Sequence, residues 1–379
     1  MIDPSSTAGL TMPFPLVTGP ILELRTKPML RIVHVGGFSL KPKGTFLNSA
    51  AWKISNGLIR NGHSVINFSD RDTARANSLL GHRKFGIGAA NKILRQLCRE
   101  AHPEFLLLSH ADVIRPETVA DIRADLPGLR VLQWNIDPVF ESDNIRRISS
   151  KLEVVDATLV STAGKALLPL VRPGKLLGFL PNAVDFSIER GRAYEHADLP
   201  FDLFNAVGGP QLPRNICGTD WKPDDLIDRI EAEIPGIRLK LGAMRGLPGF
   251  AGARLDEALS TTAMGLNLSR RNDNYLYSSD RISHMAGNGM AVLVDRATGY
   301  GDLFSEDEFV FFSTIEEMIA QIRRLIGDPT TRQKIAEAGH ARYHDLFNEQ
   351  IIARYIVDVA FGSLKESDYP WPTLVSAES

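Results

Sequence analysis

Short β-rich apolar stretches alternate with longer helical ones twice along this chain, and that rhythm constrains the fold more than any other feature. LRIVHVGG reads as a buried strand ending in Gly36-Gly37, Phe46 to Arg60 as a helix stopped by Asn61-Gly62, and SVINFSD as the next strand. A helix around Asn91 to Glu100, the strand EFLLLSH, a helix after Pro116 and the strands RVLQWNID, ATLVST and KLLGFLPN continue the pattern. Strands that alternate with helices form parallel sheets covered on both faces, because parallel neighbours need a crossover of about a dozen residues or more. Residues 27–185 are therefore expected to form one Rossmann-like α/β domain. Over 186–200 the periodicity gives way to charge and proline, which reads as a hinge. The alternation then resumes with DLFNAVGG, a helix from Asp224 to Glu233, GIRLKLG, the glycine-rich loop AMRGLPGFAGAR, AMGLNLSRR, a helix near Ser279 to Ala286, AVLVDR and EFVFF. This predicts a second Rossmann-like domain over 201–347.

The end of that domain carries clear helix signals. Ser313 and Thr314 each precede a glutamate by three residues, giving two capping boxes, and Ile315, Met318, Ile319, Ile322, Leu325 and Ile326 share one face. Gly327 stops this helix, and Asp328-Pro329 opens the next. A last helix, 348–364, carries a stripe of Ile351, Ile352, Tyr355, Ile356 and Val359 that needs a surface to cover it. Residues 1–26 and 365–379 read as tails.

A length of 379 residues suits two domains, and 44% hydrophobic with 23% charged residues excludes a mostly disordered chain. The formal net charge of −2 provides no overall basic excess for nucleic acid, and no nucleic-acid partner is expected. The longest apolar runs, such as Phe105 to Leu108 and Ala291 to Val294, fall far short of the roughly 18 residues that cross a bilayer. With an early Asp3, several prolines and no basic stretch ahead of an apolar one, the first residues do not read as a secretory signal. Cys98 and Cys217 are too few for a disulfide framework or a four-cysteine zinc site, as expected of a cytoplasmic protein.

Ligands of open α/β sheets bind outside the carboxyl ends of the strands, and the candidate residues cluster there. Gly36 and Gly37 end the first strand, but Phe38-Ser39-Leu40 follows, so the turn is not the GxGxxG of dinucleotide binding. Lys43, in the loop KPKGT, either touches an acceptor or a phosphate or is simply solvated. His110 and Asp137 end LLLSH and LQWNID, where either can deprotonate a hydroxyl or serve as a cap or loop hydrogen bond. Asp70-Arg71-Asp72 has a metal-binding spacing without other support, and His340 and His344, four apart, lack the glutamate of HExxH, so no metal site is expected. In the second half, Ser269, Arg270 and Arg271 end a strand and Arg281 opens a helix that closes at Gly287 and Gly289. Guanidinium forks beside free helix N–H groups suit a diphosphate.

Over about residues 265–347 the sequence resembles the C-terminal domain of GT-B glycosyltransferases, most closely the CgeB-like, glycosyl transferases group 1 type. The pattern runs from LNLSR through an arginine, a helix ending in AGNG, an apolar strand and TGYGDLF to EDEFVFFSTIEEMIAQIRRLIGDPTTRQKIAEAGHARY. LPNAVD at the hinge and WNIDP in the first half extend it. The resemblance implies two Rossmann-like domains facing across a cleft, with the last helix crossing back onto the first. It implies transfer of a sugar from a nucleotide-sugar to a glycan or lipid-linked acceptor in cell-envelope polysaccharide or lipopolysaccharide synthesis, with no cofactor and no required metal. A lipid-linked acceptor would bring peripheral contact with the inner membrane. Carried over by position, Gly208, Gly209, Ser269, Arg270, Arg271, Arg281, His284 and Gly289 would bind the donor. Asp137 and His110 would act on the acceptor, with Gly36, Gly37 and Lys43 on its side. His284 stands where many members have a glutamate that binds the donor ribose, and the Arg-x5-Lys pattern of many retaining members has no clear match. A GT-B-fold nucleotide-sugar epimerase and a sugar-nucleotide-binding protein without turnover are the alternative readings.

Overall fold

The computed structural model describes residues 29–38 and 48–375, so Lys43 lies outside the described residues. The first domain runs β1 (Arg31–Gly36), α1 (Ala50–Arg60), β2 (Ser64–Ser69), α2 (Asp70–Ala76), α3 (Ile87–Ala101), β3 (Phe105–Ser109), α4 (Pro116–Asp125), β4 (Arg130–Asn135), α5 (Ser142–Ser149), β5 (Ala157–Val160) and β6 (Leu176–Phe179). These six strands form one parallel sheet in the order β2-β1-β3-β4-β5-β6. The second domain runs β7 (Phe201–Ala206), β8 (Arg214–Ile216), β9 (Thr219–Trp221), α6 (Pro223–Glu233), β10 (Leu239–Gly242), α7 (Ala253–Ser260), β11 (Thr262–Asn267), α8 (Arg281–Gly287), β12 (Ala291–Asp295), β13 (Val310–Phe312), α9 (Ile315–Gly327) and α10 (Pro329–Phe347). Its sheet is also parallel, in the order β10-β7-β11-β12-β13. Each sheet reverses its order beside its first strand, β1 or β7, and the crevices outside those strand ends open towards each other.

The capping signals resolve into one cap shared by two residues. The Thr314 hydroxyl accepts the Glu317 N–H (3.0 Å), while the Glu317 carboxylate reaches back to the Ser313 N–H (2.7 Å). Asp328 caps α10 by accepting the Thr331 N–H (3.0 Å), with Pro329 in the first turn.

The last helix, α11 (Glu349–Ala360), packs on α1 of the first domain. Gly57 is required there, because a Cβ on it would sit 1.9 Å from the Glu349 carbonyl oxygen. Part of the segment read as a tail is structured: Leu374 bridges antiparallel to Gly178, the Phe179 N–H donates to the Thr373 carbonyl (2.9 Å), and Tyr369 and Trp371 pack on the Tyr355 ring. Residues 373–375 thus cover the β6 edge, a contact that local periodicity does not signal.

The segment read as a hinge carries a buried ionic knot. Lys53 of α1 and Glu189 lie 2.5 Å apart, each 1% exposed, and Glu189 also accepts from His284 Nδ1 of α8 (2.8 Å) and the Asp185 N–H (2.9 Å). Lys53 Nζ further donates to the Ala183 carbonyl (3.0 Å) and the Ser283 hydroxyl (3.1 Å). Burial works against the Glu189 charge, but Lys53 and then His284 outweigh it and hold the carboxyl at about 2. One helix from each domain and the segment between them therefore meet in a single desolvated cluster.

Candidate active site

The two switch-point crevices merge into a cleft. A cavity of about 480 Å³ lies between Gly37, Ser109, His110 and Asp137 of the first domain and Gly208, Arg281 and His284 of the second, with Asp70 and Arg71 at its edge. Beside it, a second of about 460 Å³ is lined by Glu141, Arg147, Gly209, Arg214, Ser269 and Arg270 among others. Asp137, Gly208 and Arg281 line both. Each volume is of the size that holds a small ligand.

On the first-domain wall, β3 ends in an unusual turn: His110 (φ 55°) and Ala111 (φ 45°) are consecutive non-glycine residues in the left-handed region. Such backbone persists only where the surroundings hold it, and functional sites are where it gathers. The His110 Nδ1 is buried without a hydrogen-bond partner, 3.8 Å from Asp137 Oδ2. Burial lowers the His110 pKa, with Asp137 and Asp112 only partly restoring it, so the neutral ring is favoured. Asp137 in turn holds Arg147 (2.7 Å), which approaches Asp112 (3.8 Å), itself paired with Arg71. Carboxylates and guanidinium groups are matched on this wall.

Behind the turn runs a buried chain that sequence reasoning missed. The Ser55 hydroxyl donates to Asn67 Oδ1 (2.8 Å) and so accepts from His34 Nδ1 (2.7 Å), which leaves His34 Nε2 to accept from the Ser109 hydroxyl. Burial pushes the His34 pKa down to about 3, keeping the ring neutral. Gly36 serves this packing rather than the cavity: a Cβ there would lie 2.9 Å from the Ser109 Cβ.

The second-domain wall is charged differently. Arg281 donates from Nη1 to the Ala206 carbonyl and from Nη2 to the Leu268 carbonyl, both at 2.7 Å, tying together the ends of β7 and β11. Arg214 donates to the carbonyls of Gly208 (2.7 Å) and Leu212 (2.9 Å). Both Nε–H groups are buried without a partner. Burial lowers both pKa values, that of Arg214 to about 10 with Arg281 adding to the effect. Neither guanidinium is paired with a carboxylate among the described residues, an arrangement that favours an anionic ligand. Arg214 was not legible in QLPRNI. It lies on the β8–β9 hairpin, whose three-residue strands are too short for a periodic signal.

The remaining expected residues divide. Ser269 lines the second cavity, its N–H held by Asn272 Oδ1 (3.0 Å). Gly208 has open space where a Cβ would be, and Gly209 has φ 69°. Arg270 lines the second cavity but pairs with Glu141 across its mouth, where Phe140 also meets the Tyr277 ring (5.6 Å). His284 lines the first cavity with Nδ1 engaged by Glu189. Two expectations are corrected. Arg271 lines neither cavity, being half exposed and paired with Asp273 (2.5 Å). Gly289 faces Tyr194, whose ring a Cβ would meet at 2.5 Å, so it serves packing at the end of α8. His340 and His344 bond the carbonyls of Ala286 and Gly287, and Asp70 holds the N–H groups of Arg71 and Val113.

Residues 203–358 match a family profile described as glycosyl transferase-like. Known structures extend the likeness to both domains and give the fold as GT-B. Sucrose-phosphate synthase from Thermosynechococcus elongatus superposes with a TM-score of 0.62 at 13% identity, over 88% of this chain and 98% of that one. An alpha-glucosyltransferase solved with UDP and DNA superposes at 0.60 and 12% identity, over 88% of this chain and 100% of its own. Anabaena HepE solved with UDP and glucose gives 0.54, also at 12% identity and the same coverage. No curated protein matches the chain in sequence. Arg214 and Arg281, unpaired with carboxylates among the described residues, lie within the matched stretch, and the His110–Asp137 pair lies outside it.

Proposed function

We propose that the chain is a cytoplasmic hexosyl- or related glycosyltransferase that moves a sugar from a nucleotide-sugar to a hydroxyl of a glycan or glycolipid. The observation that carries this reading is the pair of buried Arg214 and half-buried Arg281, without carboxylate partners among the described residues and across the cleft from a neutral histidine beside an aspartate. Breaking a glycosyl–phosphate bond leaves its electron pair on the departing diphosphate. Fixed guanidinium groups placed where that charge develops lower the barrier. The acceptor oxygen attacks the sugar, and its proton passes to His110 Nδ1 or the Asp137 carboxylate. His284, held at Nδ1 by Glu189, would hydrogen-bond a donor hydroxyl, the task a glutamate would otherwise perform. Because the guanidinium groups stabilise the leaving group, we propose that transfer needs no metal, so that EDTA leaves turnover unchanged. The acceptor class, a cell-envelope polysaccharide or lipopolysaccharide, rests on the family resemblance.

The test is thermal stability against UDP, GDP, CDP, TDP and ADP, followed by nucleoside diphosphate release from the matching sugar donors. A ligand at about 100 times its Kd stabilises the native state by about 2.7 kcal/mol, a shift that is easily read. A Tm rise selective for one nucleoside diphosphate, with its release on adding acceptor, is the expected result. Stabilisation by none of them would overturn the donor site. Interconversion of the donor sugar without release would make the protein an epimerase, and binding without turnover a binding protein.

A further inference from the structure

We propose that the turn over residues 79–85, with Lys92 of α3, is a docking surface for an anionic lipid bilayer, placed beside the first-domain wall of the cleft. The stretch from 73 to 99 holds six arginines and lysines and no aspartate or glutamate, in a chain whose net charge is −2. Three of those cations are spoken for: Arg75 pairs with Asp72, Arg95 with Asp121 and Asp125, and Arg99 with Asp125. Arg83, Lys84 and Lys92 are exposed and meet no carboxylate among the described residues. Among these charges stand Leu79, fully exposed, and Leu80 and Phe85, 74% and 71% exposed. A cluster of large apolar side chains this exposed marks an interaction surface, whereas single ones need no explanation.

The turn is built to present them. Gly86 is buried against α2, where a Cβ would lie 1.7 Å from the Ala74 carbonyl oxygen, and the His82 ring accepts the Lys84 N–H (3.4 Å). The segment is thus pinned at its base with its apolar side chains facing outward. Nucleic acid would use the cations and leave two leucines in water, while an ordinary protein surface would bury the leucines but require matching carboxylates. A bilayer with anionic headgroups satisfies both sets at once, apolar groups entering the acyl boundary and cations remaining at the phosphates. Among the described residues no helix is long and apolar enough to cross a membrane, so the attachment would be peripheral.

Position links this surface to the cleft. α2 begins at Asp70, which with Arg71 lines the first cavity, and runs seven residues, about 10 Å, to the start of the turn. A lipid-linked acceptor lying in the bilayer would therefore meet the cleft on its first-domain side. That last step rests on the transferase reading, but the docking surface does not, and vesicle binding is read without turnover.

The experiment is co-sedimentation of the full chain with vesicles of phosphatidylglycerol and phosphatidylcholine, and of phosphatidylcholine alone. Binding is expected to the anionic vesicles, weakened by salt. The triple variant Leu79→Ser, Leu80→Ser, Phe85→Ser and the double variant Arg83→Glu, Lys84→Glu should each lower partitioning about tenfold or more, with the Tm rise from a nucleoside diphosphate intact. All five positions are exposed, so both variants are expected to fold. Tryptophan fluorescence of Phe85→Trp should shift to the blue only with anionic vesicles. Absence of vesicle binding, or a triple variant that binds as well as the parent, would overturn the proposal. So would binding to nucleic acid, or a self-associated form dissolved by the triple variant, in a protein that ignores vesicles.

Discussion

The two sheet edges that face each other across the cleft are alike in topology and opposite in electrostatics. On the first-domain edge, Asp137, Arg147, Asp112 and Arg71 form a chain in which each guanidinium meets a carboxylate, with the His110 Nδ1 beside it buried without a hydrogen-bond partner. On the second, buried Arg214 and half-buried Arg281 have backbone carbonyls as their hydrogen-bond partners. A buried charge left unmatched is costly, so it persists where a ligand of opposite sign completes it. In the proposed reading, the second edge receives the anion and the first handles the proton.

The largest effect should come from the proton-handling edge. His110→Asn, chosen because asparagine tolerates φ 55°, is expected to cut turnover about a hundredfold while the Tm rise from a nucleoside diphosphate persists. Asp137→Asn should likewise abolish most transfer with donor binding kept. Normal turnover in either folded variant would reduce that residue to a structural one. On the other edge, Arg214→Ala should weaken nucleoside diphosphate binding about tenfold or more, since a charge-assisted hydrogen bond contributes about 1.5–3 kcal/mol. Unchanged affinity by calorimetry would erase the contrast between the edges.

Acid tests the first edge from behind. The folded-state pKa of His34, about 3, lies below its ordinary 6.5, so the unfolded chain binds the proton more readily. That contribution to stability is complete above about pH 6.5 and is lost progressively as pH falls towards 3. His340, pushed down to about 4, acts in the same direction. Urea denaturation at pH 7 and pH 5 should show a loss on acidification that His34→Gln makes smaller. An undiminished loss would remove His34 as its cause. The smallest effect is the sharpest control: Arg271→Ala should leave nucleoside diphosphate affinity within about twofold, as an exposed pair with Asp273 contributes only about 0–1 kcal/mol.

How much of this was legible follows from the range of each interaction. Strands such as Phe105–Ser109 and Ala291–Asp295 announce themselves because burial on both faces produces an unbroken apolar run. The residues just past their ends, His110 among them, were accessible because topology alone places strand ends at ligand sites. Lys53 and Ser283 are 230 positions apart, and His284 and Glu189 95, so nothing local in either sequence context marks the knot they form. Charge in the hinge showed no partner locally because its partners lie elsewhere. Arg271 misled for the converse reason: it shares composition and a strand end with Arg270, yet the next turn carries Asp273, which takes it.

The same knot determines where the molecule can give way. Separating Lys53 from Glu189 would strand a charge in a dry interior, a penalty of about 3–5 kcal/mol, whereas the half-exposed Glu141–Arg270 contact at the mouth resists by about 1 kcal/mol at most. Any swing of one domain against the other therefore uses the cluster as a fulcrum and opens the lips first. α8 carries His284 at that fulcrum and Arg281 at the cleft, three residues apart on a stiff rod. An anion that pulls on one end of this lever is felt at the other.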